Sequence, residues 1–144
     1  MKVALASAMF RNGDVAFNLR QMERHMRQAA GQGAALVCFG EAFLQGFDSL
    51  KWDFSSDCHM AIGVDSAGFR TLCAWTRALR SDLLFGFLER DGAALYSSCA
   101  LISGGALLTR YRRISRGWKE FRRTDGHYRE GAVAEPFDYR GMRC

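Results

Sequence analysis

Ala34-Ala35-Leu36-Val37-Cys38-Phe39-Gly40-Glu41 is the stretch on which the reading of this chain turns. Six apolar residues in succession leave no polar face, so the segment reads as a central strand covered on both sides, of the kind found in parallel sheets. A parallel neighbour needs a crossover, and the preceding residues supply one. Lys2 to Ala8 carries a small apolar face on Val3, Leu5 and Ser7 and reads as a first strand. Arg11-Asn12-Gly13-Asp14 reads as a turn, with Asp14 placed to cap a helix. Behind it Val15, Leu19, Met22, Met26 and Ala29 recur at spacings of four and three, the stripe of an amphipathic helix that Gly31 and Gly33 end. The first forty residues are therefore expected to form a βαβ unit.

Downstream, residues 42–64 read as irregular, with Phe43, Phe47, Trp52 and Phe54 suggesting a packed loop or short helix. Asp65 is expected to cap a second helix whose buried stripe is Phe69, Leu72, Cys73, Thr76 and Leu79. Asp82 to Leu88, Ala94 to Ser103 and Ala106 to Ile114 read as three strands, joined by turns at Arg90-Asp91-Gly92 and Gly104-Gly105, in a meander. Glu135 to Gly141 reads as a strand and turn leading into a further element, for which Met142-Arg143-Cys144 remains.

Composition bounds the function. The chain has 144 residues, 49% hydrophobic and 24% charged, which suits one globular unit and excludes disorder as the default. The longest apolar run is far too short to span a bilayer, and the start lacks the pattern of a secretory leader. Five cysteines without a Cys-x-x-Cys pair argue against a disulfide framework and a structural zinc site, so reduced thiols in a cytoplasmic protein are expected. Residues 1–109 hold ten basic and ten acidic side chains, while residues 110–143 hold ten and five, so the net charge of +5 resides in the last quarter. There it is interleaved with Trp118, Phe121, Tyr128 and Phe137 and reads as folded surface; no nucleic-acid or membrane partner is expected.

Gly40-Glu41 follows the apolar run directly, and catalytic groups in open α/β sheets gather at the carboxyl ends of strands. A carboxylate there is expected to be partly desolvated, which raises its pKa and suits a general base. The competing reading is a plain loop glutamate, facing solvent or paired with an arginine. Tyr111-Arg112-Arg113 closes the fifth strand and Gly117-Trp118-Lys119-Glu120 follows, so a cation and a carboxylate from different strand ends could frame one substrate. His25, His59 and His127 stand apart, and no phosphate-binding glycine loop or nucleophile elbow is present.

Taken in order, these segments resemble the N-terminal part of the nitrilase, or carbon–nitrogen hydrolase, superfamily. The resemblance rests on Lys2 to Ala6, Asn18-Leu19, the strand running into Gly40-Glu41-Ala42-Phe43, Gly86 to Glu89, Leu95 to Ile102, Tyr111-Arg112-Arg113 and Trp118 to Phe137. It implies an αββα sandwich, here its N-terminal portion with a mixed sheet and helices on one face. It implies hydrolysis of non-peptide C–N bonds in small amides, nitriles or carbamoyl compounds by a Glu-Lys-Cys mechanism, with no cofactor or metal and with homo-oligomers built through the sheet/helix face. By resemblance Glu41 is the general base and Glu120 helps to position substrate. The family's lysine position holds Arg113 in this chain, so the cationic role falls to Lys119, six residues on, with Arg113 as the alternative. The family's nucleophile lies in a Cys-x-Asp motif several residues beyond the segment matched by Phe137 to Gly141, and Cys144 comes only three residues after Gly141. Residues 1–144 are therefore expected to be a single incomplete domain, a truncated chain without the nucleophile. A non-catalytic remnant or interaction module of the same fold is the alternative. An unpartnered sheet is expected to expose a large apolar face.

Overall fold

The computed structural model describes every residue from Met1 to Cys144. Its elements are β1 (Val3–Leu5), α1 (Val15–Gly31), β2 (Leu36–Cys38), the single-turn α2 (Phe54–Asp57), α3 (Ala67–Leu79), β3 (Asp82–Asp91), β4 (Ala94–Ser103), β5 (Ala106–Arg112), a 3-10 turn (Arg116–Trp118), and β6 (Asp138–Tyr139) with β7 (Met142–Arg143). Strands β1 to β5 form one sheet in that order, parallel through β3 and antiparallel from β3 to β5. The βαβ unit and the meander are both present, forming the mixed α/β sheet that the sequence predicts.

The stripe of α1 does what its period predicts. Met22 and Met26 are fully buried and join Phe69 and Leu72 of α3 against Val37, Phe39, Leu83, Phe85, Phe87, Ala100 and Ile102 of the sheet. Each large side chain of this layer contributes about 1.5–3 kcal/mol by leaving water. Asp14 caps α1 by accepting from the Phe17 amide at 2.8 Å. The cap of α3 is Ser66 rather than Asp65: its hydroxyl accepts from the Phe69 amide at 3.2 Å, three residues on, a distance along the chain that Asp65 does not match.

Several boundaries differ from the sequence reading. β1 and β2 are three residues each, although the Ala6 amide still donates to Cys38 O and the Phe39 amide to Leu84 O, both at 2.8 Å. β3 runs on through Asp91, and the turn falls at Gly92-Ala93. β5 stops at Arg112, although the Arg113 amide still donates to Ser97 O at 2.8 Å.

The second face of the sheet is covered in part by the chain's own last residues. β6 and β7 pair as a hairpin, and Tyr139 with Phe137 packs on Leu36, Leu101 and Leu84. The anchor is polar. The buried Asp82 carboxylate accepts from Tyr139 Oη at 2.8 Å and from Arg140 Nε and Nη2 at 3.0 and 2.9 Å. No helix is long and apolar enough to cross a membrane.

Candidate active site

Glu41 stands just past β2, on a loop that the fold holds tightly. β3 outruns β2, so the Gly40–Gly46 loop folds back along it and meets it at Gly86. There the Gly86 amide donates to Gly40 O at 3.2 Å. A Cβ on Gly86 would lie 2.7 Å from Glu41 Cα and from the Ala42 nitrogen, so only glycine admits this approach. Ala42 itself takes a left-handed φ of 53°. Two buried amides fix the rest of the loop. Asn18 of α1 donates through Nδ2 to Leu44 O and Arg11 O and accepts from the Arg11 amide. Gln45 accepts from the Leu88 amide at 2.8 Å and donates to Met60 O at 3.1 Å. Both side chains are almost fully buried with their hydrogen bonds made, which is what such burial requires.

Arg113 enters from the other side of the sheet's end. Gly131 lies against the β5 exit, its amide donating to Arg113 O at 3.0 Å, with no room for a side chain against Arg112. So held, Arg113 donates from Nη1 to Glu41 Oε1 at 2.6 Å and from Nε to Ser115 Oγ at 2.9 Å. The Glu41 side chain is 49% exposed and paired with Arg113, not desolvated as expected from sequence.

The pair opens on a cleft of about 320 Å³ bordered by Gly86, Ser97, Cys99, Tyr111 and Ser115. Cys99 lies in β4, opposite Gly86. Burial, with Cys38 nearby, pushes its thiol up to about 11. Burial likewise raises the Cys38 thiol. Cys144 is exposed and borders a neighbouring apolar groove that shares Cys99 and Tyr111 with the Glu41 cleft. All five cysteines are free.

Lys119 and Glu120 make their contacts away from Glu41. Lys119 Nζ donates to Tyr128 O at 2.7 Å and sits 2.8 Å from Glu130 Oε1, and this lysine holds the Glu130 carboxyl below its usual range. Glu120 is exposed; its side chain accepts from the Arg122 amide at 3.3 Å and its carbonyl from Arg123 and Thr124. Of the four residues singled out from sequence, the structure joins Glu41 and Arg113. Sequence reasoning quoted Asn18 and Gly86 only as part of the resemblance, gave neither a role in holding the loop, and missed Gln45, whose only signal was an amide in apolar surroundings. No group of three or more His, Cys, Asp or Glu side chains comes together in a way that could hold a metal ion. His127 instead pairs with Asp125 at 2.8 Å and stacks on Phe54.

A parallel βαβ start, a strand-end carboxylate and a cation that follows β5 thus come together at one end of a mixed α/β sheet. Residues 2–136 match the profile of the carbon–nitrogen hydrolase family, and the chain belongs to that family. Among curated relatives, it is 29% identical over 99 residues to an arylacetonitrilase from Aspergillus niger, covering 63% of this chain and 29% of that one. It is 27% identical over 124 residues to an arylacetone-specific nitrilase from Alcaligenes faecalis, covering 79% and 35%. Its fold superposes on an amidase from Nesterenkonia sp. with a TM-score of 0.80 at 20% identity, covering 99% of this chain and 53% of the amidase. A glutamine-dependent NAD+ synthetase from Acinetobacter baumannii matches with a TM-score of 0.71 at 21% identity, over 98% of this chain and 26% of that protein. The chain thus spans about a third of the curated nitrilases and about half of the amidase.

Proposed function

We propose that this chain carries the general base and the cationic side of a carbon–nitrogen hydrolase site acting on small amides or nitriles. The observation that supports it most is the Glu41–Arg113 pair at 2.6 Å on the cleft at the carboxyl end of the parallel strands. In this reading Glu41 takes a proton from an attacking thiol and later from water. Arg113 borders the cleft and would stabilise charge developing on the substrate oxygen or nitrogen, the role the resemblance gives to the lysine. Arg113 takes this role in preference to Lys119, because Lys119 is engaged by Tyr128 and Glu130.

Cys99 matches no nucleophile position of the family, and burial pushes its thiol up to about 11. One structure of the Nesterenkonia amidase holds the acetamide moiety of fluoroacetamide covalently at its active site cysteine. Exposed Val3 and Leu5 on the edge strand β1 support self-association. A non-catalytic binding module is the second reading, favoured by the absence of an activated thiol in the cleft. Ammonia release from an amide and nitrile panel by the product of the whole reading frame separates the two. Release that falls about a hundredfold or more in Glu41→Gln is expected; no release from any substrate, or release indifferent to Glu41, sinks the hydrolase reading.

A further inference from the structure

An arginine carries its N–H donors in one rigid plane at the end of a long, flexible side chain. In Arg113 that plane is held at two different nitrogens. Nη1 donates to Glu41 Oε1 at 2.6 Å, and Nε donates to Ser115 Oγ at 2.9 Å. A single bond to Glu41 would let the guanidinium swing about it; the second fixes which way the plane is turned. Glu41, Arg113, Ser115 and Tyr111 all border the same cleft.

The Ser115 hydroxyl is diverted from its ordinary local task. Ser115 stands at the N-cap of the 3-10 turn Arg116–Trp118, where a serine oxygen commonly accepts from a backbone amide just ahead. It makes no such capping bond, and its oxygen goes to Arg113 instead. The chain between the two residues is held as well. The Ile114 amide donates to Tyr111 Oη at 3.3 Å, so the phenol at the end of β5 supports the bend that brings Ser115 back alongside Arg113. Stability gives little reason for the contact, because Ser115 is exposed and Arg113 half-exposed, and polar contacts in water add little to a fold. The bond is also specific to arginine. Where arginine has Nε, lysine has a methylene, so Ser115 would find no donor at that point of a lysine side chain.

We propose that Ser115 is a positioning residue matched to Arg113, setting the guanidinium plane for the charge that develops on the substrate. The proposal rests on the hydrolase reading of Glu41 and Arg113 and adds the group that aims the cation. Its effect falls on kcat, since the charge that Arg113 meets appears only as the reaction proceeds and substrate binding does not draw on it.

The test is a double-mutant cycle in the product of the whole reading frame, read by ammonia release and thermal melts. Ser115→Ala is expected to lower kcat about tenfold, with KM and melting temperature unchanged. In the Arg113→Lys background the same change is expected to cost nothing further, because the atom it holds is gone. Parent kcat in Ser115→Ala, a loss carried by KM alone, or an equal loss in both backgrounds overturns the proposal. A second measurement needs no turnover. By NMR, the Arg113 Nε–H, assigned by its disappearance in Arg113→Lys, is expected to exchange with water about tenfold faster in Ser115→Ala than in the parent. Equal exchange overturns the proposal. Protection that depends on Ser115, without ammonia release from any amide or nitrile, overturns the hydrolase reading and keeps the hold of Ser115 on Arg113.

Discussion

Glu41 Oε1 and Arg113 Nη1 meet at 2.6 Å across 72 residues of sequence. Neither residue is drawn there by burial, since the two side chains are 49% and 36% exposed. Both are delivered by rigid backbone: Glu41 by the close crossing at Gly86, Arg113 by its amide bond to Ser97 and by Gly131 against the β5 exit. A half-exposed ion pair contributes at most about 1 kcal/mol to stability. Its value lies in where it holds charge.

The two candidate cations are separable on that basis. Arg113→Ala is expected to lower kcat by about a hundredfold with little change in melting temperature, and Arg113→Lys to restore part of the rate. Lys119→Met is expected to do the reverse, lowering the melting temperature by a few degrees while the rate holds, because its partners are Tyr128 O and Glu130. Steady-state ammonia assays beside thermal melts read both effects.

Gly86→Ala is predicted to move Glu41 rather than merely to unfold the sheet. The new methyl meets backbone at 2.7 Å, on atoms that cannot swing aside. A cost of about 1–3 kcal/mol in urea unfolding is expected, with a larger proportional loss of activity than of stability. A variant as stable and as active as the parent would show that the loop is not held by this contact.

Stability is expected to depend on pH through Cys99. Its folded value of about 11 exceeds the ordinary 9.0, so the unfolded chain loses its proton first as pH rises. The contribution is whole below about pH 9 and is lost progressively towards pH 11, on the order of 2 kcal/mol in all. Urea unfolding across that range reads it, and the decline flattens in Cys99→Ala. The same protonated thiol predicts slow alkylation of Cys99 by iodoacetamide at neutral pH.

Glu89 offers a stability test away from the site. Its fully buried carboxylate accepts from Arg110 Nη1, from Nε and Nη2 of Arg112, and from Ser98 Oγ at 2.6 Å. These bonds hold the Arg112 guanidinium well above its usual pKa. Glu89→Ala leaves two arginines facing one another and is expected to cost about 3 kcal/mol, read as a lower urea midpoint. A midpoint within the error of the parent would mean that both arginines find water instead.

Much of the scaffold was legible before any coordinates. The α1 stripe, the apolar β2 run and the glycine-marked turns between β3, β4 and β5 are local patterns, and local period is what burial on one face imposes. The misreadings were local too. Ser66 took the cap read for Asp65, one residue along, and Arg90-Asp91 stayed in the strand because their pairing with Ala94-Leu95 outweighs turn propensity. The buried carboxylates were not legible. Asp57, Asp82 and Glu89 look like ordinary surface residues until Tyr128, Tyr139 and Arg112 arrive from 71, 57 and 23 residues away.

By itself, then, the sequence determined the elements, the βαβ start, the strand-end position of Glu41 and the family resemblance, because each depends on residues close together in the chain. The tertiary structure alone decided that Arg113 and not Lys119 meets Glu41, and that Cys99 faces their cleft. Such pairings depend on differences of a few ångströms between strand ends and loops distant in sequence. No periodicity encodes them; they are fixed only when the sheet, its crossings at glycine and the buried polar anchors are assembled together.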